Sequence, residues 1–146
     1  MNKIILASSS IYRQQLLKRL PINFSSISPN IDEARISGEN FEDLARRLSN
    51  EKAEAVSIKN PSAFVIGSDQ TAEFSNKEVR KPLSIEKAFI QLNELSGQTL
   101  NFFSGVCLKN AQKNISVDEV VKFSVTYKKL SEKQIKRYLS MEDPSQ

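Results

Sequence analysis

Four places in the chain carry side chains that could bind or hydrolyse a charged ligand, and the first follows the N-terminal apolar run. Ser8, Ser9 and Ser10 separate that run from a helical pattern. Hydroxyl and backbone N–H groups at a helix N-terminus bind anions. Arg13 adds a cation to the first helical turn, where it opposes the helix dipole unless an anion is bound. The alternative is that these serines only cap the helix.

Lys52 is the second candidate, because it lies on the apolar stripe of a predicted helix. It follows Leu48 by four residues and Phe41 by eleven. A lysine on the buried face of a helix needs an anion or a route to solvent. Lys52 therefore either binds an anion or lies at the edge of the stripe and extends its ammonium group into water.

Two carboxylate positions complete the set. Asp69 follows the apolar run Ala63–Gly67, at the predicted C-terminal end of a strand. Open α/β sheets bind ligands at that end of their strands, and the alternative is a turn aspartate that accepts local hydrogen bonds. Asp32 and Glu33 lie in a polar loop spanning residues 29–39, where a solvated acid pair is the alternative to a functional one.

The absence of histidine limits the chemistry more than any other feature of the composition. It excludes Ser-His-Asp and Cys-His catalysis and most zinc sites. Acid–base chemistry must then come from Asp, Glu, Lys or Tyr. A metal must be held by oxygen ligands, which favours magnesium or manganese. The single cysteine, Cys107, excludes a disulfide within the chain.

The charge and the apolar runs restrict partners and location. The net charge of +4 fits either an ordinary lysine-rich surface or a phosphate-bearing ligand. Basic residues form no dense stripe with interleaved aromatics, so no nucleic acid is expected as a partner. The longest apolar runs have four or five residues, too few to span a membrane. The N-terminal run is too short for a signal peptide, and a cytoplasmic location is the expectation.

Apolar spacing predicts the elements that must position these side chains. The length of 146 residues favours one domain, 1–146. Ser84 and Gly97 are expected to cap one helix, and Ser131 with Gln134 forms a capping box before the last one. The order of elements predicts an α/β fold with a mixed sheet. In sequence we expect a strand at 3–7, a helix at Ile11–Leu20, a strand at 22–28, a helix at Phe41–Ile58, a strand at Ala63–Gly67, a short hairpin, a helix from Ile85, strands at Leu100–Leu108 and Ile115–Tyr127, and a helix through Leu139.

Several spaced motifs together resemble the Maf family over essentially the whole chain. They are ILASSSIYRQQLLKRL, SPNIDE, LARRLSNEKAEAV, VIGSDQT, KPLS, LSGQT, FFSGVCL and YKKLSEKQI. The resemblance implies a mixed, twisted sheet flanked by helices, of the Maf and inosine-triphosphatase type. It also implies a nucleotide pyrophosphatase that requires a divalent metal, magnesium or manganese, and cuts between the α- and β-phosphates of a nucleoside triphosphate.

The resemblance assigns roles to individual residues. Asp69 is similar to the family's proton acceptor for the attacking water. Glu33, together with Asp69, is the expected metal contact. The residues similar to the family's phosphate cradle are Ser8, Arg13, Lys52 and Lys81.

Substrate choice within the family rests on Tyr12 and Gln70. An aromatic residue at position 12 and Gln at position 70 resemble the subgroup that hydrolyses 7-methyl-GTP. The methylated guanine ring is positively charged, and an aromatic face attracts such a cation by about 0.5–2 kcal/mol. Tyr12 also shares a helical stripe with Leu16 and Leu20, so a core aromatic is the alternative.

The chain departs from the family pattern at three places. Ile11 replaces a proline, and Arg80 replaces a glycine, which could crowd the site if that position needs an unusual backbone angle. The family continues beyond Pro144 with further sheet and helix, so we expect the C-terminal end of the fold to be absent. This absence keeps a second hypothesis open: a non-catalytic nucleotide-binding or regulatory protein, or a degraded Maf-like protein, linked to cell division. A homodimer also stays open.

Overall fold

The computed structural model describes residues 3–75 and 77–141 of the chain. In this part of the chain the strands are β1 (Ile4–Ala7), β2 (Ser25–Ser26), β3 (Phe64–Phe74), β4 (Lys77–Glu78), β5 (Thr99–Asn110) and β6 (Ile115–Thr126). The helices are α1 (Ile11–Leu17), α2 (Phe41–Ser57), α3 (Ile85–Leu95) and α4 (Glu132–Met141).

The described strands form one mixed sheet in the order β2-β1-β3-β5-β6, with β4 paired to β3. β1 runs parallel to both β2 and β3, and its register places Ile5 opposite Val65. β4 is antiparallel to β3. The predicted α/β fold with a mixed sheet is therefore confirmed, and so is the short hairpin.

Contacts divide the chain into two compact units. The first comprises Met1–Thr71 and Phe103–Val121, and the second comprises Ala72–Phe102 and Lys122–Gln146. Every candidate residue named above except Lys81 belongs to the first unit.

Helix α2 covers one face of the sheet in the first unit. Its buried residues include Leu44, Ala45, Leu48 and Ala53, as its apolar stripe predicts. Asn40 caps it by accepting a 2.7 Å hydrogen bond from the Asp43 N–H, which satisfies a backbone donor that has no partner within the helix.

Two glycines let α2 lie close to the strands. A Cβ on Gly67 would be 2.2 Å from the Ser49 carbonyl oxygen, and one on Gly105 would be 2.5 Å from that of Ala45. No side chain fits at either position without moving the helix. The helix backbone therefore rests directly on β3 and β5, and short side chains such as Ala53 fill the space between them.

The second unit contains a cluster in which Ala88 of α3 packs against Ile135 and Leu139 of α4. The predicted caps are present. Ser84 Oγ accepts a hydrogen bond from the Lys87 N–H. In the capping box, Ser131 Oγ accepts from the Gln134 N–H, and Gln134 Oε1 accepts from the Ser131 N–H. None of the helices in the described part of the chain has the length and apolar character needed to cross a membrane.

The predictions for the first helix and the second strand were wrong in extent. α1 ends at Leu17, because the next residues form tighter turns in which the Leu20 N–H bonds to the Leu17 carbonyl. None of its residues is buried. The strand predicted at 22–28 is limited to Ser25–Ser26, which are the residues that pair with β1.

Candidate active site

Asp69 lies within β3, not after it. Residues 65, 67, 69 and 71 of this strand share the side that faces α2, because side chains alternate along a strand, and all four are buried. Asp69 is 6% exposed, and Thr71 Oγ1 donates a 2.8 Å hydrogen bond to the Phe41 carbonyl at the start of α2. The prediction of Asp69 at a strand end was wrong, as was the alternative of a turn aspartate. The strand continues because its polar residues find partners on α2.

Lys52 connects the two predicted carboxylates. Its Nζ lies 2.9 Å from Oδ1 of Asp69 and 2.7 Å from Oε1 of Glu33. Lys52 is 7% exposed, so the ammonium group does not extend into water. The prediction that an inward lysine needs an anion is confirmed, and the alternative of a stripe-edge lysine is wrong.

Glu33 reaches this pair from the loop before α2. Its side chain is 57% exposed, so it contacts Lys52 from the solvent side, whereas Asp69 contacts Lys52 from the sheet. The neighbouring Asp32 accepts a 2.9 Å hydrogen bond from the Ala34 N–H, a local turn contact. The two acids of the loop therefore have different contacts: Asp32 stabilises the local turn, and Glu33 pairs with Lys52.

Burial raises the pKa of Asp69 above its ordinary range. The hydrogen bond and the charge of Lys52 oppose this effect, Arg13 opposes it more weakly, and Glu33 adds to it. Arg13 and Glu33 thus lie close enough to influence the carboxylate. Four of the predicted residues, Asp69, Lys52, Glu33 and Arg13, form one electrostatic cluster.

Ser8 and Ser10, which precede α1, accept hydrogen bonds from nearby backbone N–H groups. Ser8 is buried, and its Oγ accepts a 3.0 Å hydrogen bond from the Ser10 N–H. Ser10 Oγ accepts from the Arg13 N–H at 3.3 Å and caps the helix. These two backbone donors are therefore engaged within the turn, and the role of Ser8 in phosphate binding stays a prediction.

The two predicted specificity residues project differently. Tyr12 is 65% exposed, so the alternative of a core aromatic is wrong. Gln70 follows Asp69 on β3 and therefore points to the opposite face of the sheet, where its Nε2 donates a 3.1 Å hydrogen bond to Ser104 Oγ. Their roles in choosing a nucleotide stay predictions.

Lys81 belongs to the second unit, where it is exposed between β4 and α3. A cavity of about 500 Å³ in that unit does not include it; the cavity is lined by residues such as Phe74, Lys87 and Ile90. Arg80 is not among the described residues with a positive φ, so the substituted glycine position needs no special backbone angle here. The role of Lys81 stays a prediction.

The two carboxylates that contact Lys52, those of Glu33 and Asp69, are the candidate ligands for a divalent cation. The oxygens of Glu33 and Asp69 already surround one cation, the Lys52 ammonium group. Among the described residues, no group of three or more His, Cys, Asp or Glu side chains is placed to hold a metal. Magnesium needs only one or two carboxylates when substrate phosphates and water supply its other ligands, so this pair fits such an ion.

Arg47 is a residue that the sequence did not single out. Its Nε and Nη2 donate to the two carboxylate oxygens of Glu39 at 2.7 and 3.0 Å, and Nη2 also donates to the Ala34 carbonyl at 2.9 Å. Its Nη1 donates to Glu51 at 2.9 Å. The four-residue spacing between Arg47 and Glu51 could have predicted that ion pair, but it does not predict the contacts of Arg47 with the loop.

A protein-family model and several named relatives match most of this chain. The family model described as Maf-like protein matches residues 3–146. A 7-methyl-GTP pyrophosphatase of Pseudomonas putida is 43% identical over 97% of this chain and 73% of its own length. A protein of the same name from Pseudomonas aeruginosa is 45% identical over 99% of this chain and 75% of its own length.

Among solved structures, the Ham1 protein of Staphylococcus aureus is similar in fold, with a TM-score of 0.54. It is 19% identical, and the match covers 86% of this chain and 70% of that one. At this identity the likeness concerns the fold alone. The family model covers nearly the whole chain, and the relatives are more than 40% identical, so the chain belongs to the Maf family.

Proposed function

We propose that this protein is a nucleoside triphosphate pyrophosphatase that hydrolyses 7-methyl-GTP to 7-methyl-GMP and diphosphate. The observation that carries the proposal is the Glu33–Lys52–Asp69 cluster, in a chain more than 40% identical to proteins named for that reaction. The cluster combines a buried carboxylate, which can accept a proton, with the Lys52 ammonium group, which can neutralise phosphate charge, so it supports hydrolysis of a polyphosphate without histidine.

Asp69 is the proposed general base. Water attacks one phosphorus of the α–β anhydride, and a new P–O bond forms. The bond between that phosphorus and the bridging oxygen breaks, and the departing phosphate group leaves with its electron pair. The proton of the water goes to an Asp69 oxygen. Burial raises the pKa of Asp69, which makes it a better proton acceptor than an ordinary aspartate. The Lys52 Nζ, 2.9 Å away, opposes the rise in pKa and favours the ionised carboxylate that a general base requires.

Lys52 and Arg13 supply the positive charge that the polyphosphate needs. Lys52 contacts Asp69 directly, and Arg13 is close enough to lower the pKa of that carboxyl. When a triphosphate binds, its oxygens would compete with the two carboxylates for Lys52. The same ammonium group would then hold the substrate next to the base. Ser8, buried at the end of β1, is the proposed hydroxyl donor to a phosphate oxygen.

Glu33 and Asp69 are the residues that would hold a divalent metal, magnesium or manganese. Such an ion, when bound, supplies charge neutralisation of the phosphates and lowers the pKa of a bound water. The exposed position of Glu33 leaves one side of the pair open to the solution, from which ion and substrate would arrive together.

Tyr12 is the proposed contact to the base. It is exposed in the first turn of α1 and precedes Arg13 in the chain. An aromatic face favours the cationic 7-methylguanine ring over neutral bases. Gln70 is the second proposed selectivity residue, acting from the other face of β3 through its contact with Ser104.

The test is diphosphate release from 7-methyl-GTP, GTP, UTP and dTTP with magnesium or manganese. We expect 7-methyl-GTP to be the best substrate. Tyr12→Arg should lower the kcat/KM ratio of 7-methyl-GTP to UTP by roughly 2- to 30-fold, the equivalent of a lost cation–π contact. Tyr138→Arg, at another exposed tyrosine, is the matched control. An unchanged ratio would remove Tyr12 from base recognition, and nucleotide binding without diphosphate release would favour a non-catalytic binding protein.

A further inference from the structure

Glu33 lies in a segment that has no regular secondary structure of its own. In the described chain, the fourteen residues between Ser26 of β2 and Phe41 of α2 form neither helix nor strand. Ordering each residue costs about 1–2 kcal/mol of backbone entropy, and loops of this length are uncommon unless they have a function. Contacts from elsewhere must therefore fix the position from which Glu33 reaches Lys52.

Arg47 provides such contacts from α2. Its guanidinium group bonds both carboxylate oxygens of Glu39 and the carbonyl oxygen of Ala34. Ala34 is the residue next to Glu33, so the bond to its carbonyl acts on the backbone that carries the Glu33 side chain. Arg47 lies about 1.4 turns before Lys52 on the same helix. One helix therefore fixes the loop and also supplies the lysine that Glu33 contacts.

Glu39 extends this attachment across the loop. Besides Arg47, its Oε1 accepts a hydrogen bond from the Ile36 N–H, and its backbone carbonyl accepts one from Arg35 Nε at 2.7 Å. The Arg35 guanidinium carbon lies 4.3 Å from the centre of the Phe41 ring. The hydrogen bond from Arg47 lowers the pKa of Glu39. The guanidinium group therefore favours the ionised carboxylate of Glu39, which strengthens the pair.

We infer that Arg47 is a positioning residue for this site: it fixes the Ala34 carbonyl and Glu39, and so places the Glu33 carboxylate for metal and substrate. The inference rests on the proposed function. Arg47 does not touch the reacting groups, and it acts through Glu33. A lysine could pair with Glu39 but could not make two parallel hydrogen bonds to the carboxylate and a third bond to a carbonyl.

The test is a double-mutant cycle between Arg47→Met and Glu33→Gln. Three quantities are measured: the manganese dissociation constant of the protein without nucleotide, and the kcat and the KM for 7-methyl-GTP. If Arg47 acts through Glu33, Arg47→Met should weaken manganese binding by roughly 10-fold, as loss of an outer partner of a metal ligand does. In the Glu33→Gln background the same change should add less than about twofold. Equal losses in both backgrounds would overturn the inference while the pyrophosphatase assignment stands.

Two further variants separate positioning from stability. Arg47→Lys keeps the charge opposite Glu39, so it should retain most thermal stability yet still lose manganese affinity; affinity equal to that of the wild type would overturn the inference. Arg46→Met is the matched control, because Arg46 pairs with Asp118 and not with the loop, and it should bind manganese normally. A wild-type chain that neither binds manganese nor releases diphosphate would overturn the proposed function together with this inference.

Discussion

At the scale of single residues, the site is defined by one ammonium group between two carboxylates. Lys52 and Asp69 are both nearly buried, whereas Glu33 is open to solvent. Removal of one partner from a buried pair typically costs about 3–5 kcal/mol, because the remaining charge is left without compensation. The carboxyl of Asp69 can avoid part of that cost by taking up a proton, and this gives the pair a measurable pH dependence.

Lys52→Met should be more destabilising at pH 8 than at pH 5. A carboxyl with a raised folded-state pKa contributes stability that is present at low pH and lost as pH rises through that pKa. Asp69 already has a raised pKa, and without Lys52 it should rise further. Chemical denaturation at several pH values measures the effect. Lys109→Met, which removes a lysine paired with the largely exposed Glu54, should cost less than about 1 kcal/mol at either pH. A Lys52→Met penalty independent of pH would contradict this account.

At the scale of elements, the approach of α2 to β3 decides whether Lys52 can reach Asp69. Gly67 lies two residues before Asp69 on the same side of β3. Its missing side chain leaves room for the α2 backbone at Ser49 and for the side chain of Ala53. The glycine and the charged pair therefore belong to one packing arrangement.

Gly67→Ala should destabilise the fold and also disturb the site. The added Cβ would be 2.2 Å from the Ser49 carbonyl oxygen, and the backbone cannot move aside without shifting α2. Overpacking of this kind costs typically about 1–3 kcal/mol or more. We expect a lower melting temperature, and weaker nucleotide binding in the fraction that remains folded. A variant with the stability and nucleotide affinity of the wild type would show that α2 has room to move.

Local signals predicted the helices better than the strands. The N-terminal caps of α3 and α4 could be predicted from the sequence because each depends on residues three positions apart, as in Ser131 with Gln134. The end of β3 could not be predicted from the sequence. Its polar residues after Gly67 indicate a turn, but the strand continues because Lys52 and the Phe41 carbonyl satisfy Asp69 and Thr71. Those partners come from α2, so no local pattern contains them.

The same limit applies to the candidate site as a whole. Residue types and the family resemblance selected Glu33, Lys52 and Asp69, but only the fold brings Glu33 to Lys52. Arg47 was missed because its partners, Ala34 and Glu39, lie in a loop without periodicity. A charged residue on the side of a helix that faces such a loop looks solvated in the sequence.

At the scale of the molecule, the sheet of the first unit is covered unevenly. Asp118 and Val120 of β6 face α2, since the first contacts Arg46 and the second packs on the core around Phe41. Val117 and Val121 alternate with them and point to the opposite face, where they are 63% and 56% exposed. Exposed apolar residues on a strand at the sheet edge favour association between molecules.

We therefore expect residues 1–146 to associate in a concentration-dependent manner. Val121→Lys should raise the monomer fraction, because a charge on this face opposes burial. Gln112→Lys adds the same charge at an exposed position between β5 and β6 and is the matched control. Analytical ultracentrifugation at several concentrations measures the effect. A wild-type chain that is monomeric throughout, or a Val121→Lys variant that associates as strongly, would mean that this face does not drive association.

The central claim is that Asp69 is the base of a pyrophosphatase, and product analysis tests it most directly. The wild type, Asp69→Asn and Asp43→Asn are compared on 7-methyl-GTP with magnesium or manganese, and nucleotide affinity is measured in parallel. Asp43 is an exposed carboxylate in the first turn of α2. We predict that the wild type and Asp43→Asn each release 7-methyl-GMP and diphosphate in a one-to-one ratio and at similar rates. Asp69→Asn should turn over at least ~10²-fold more slowly while it still binds nucleotide. Turnover by Asp69→Asn close to that of the wild type would contradict the claim.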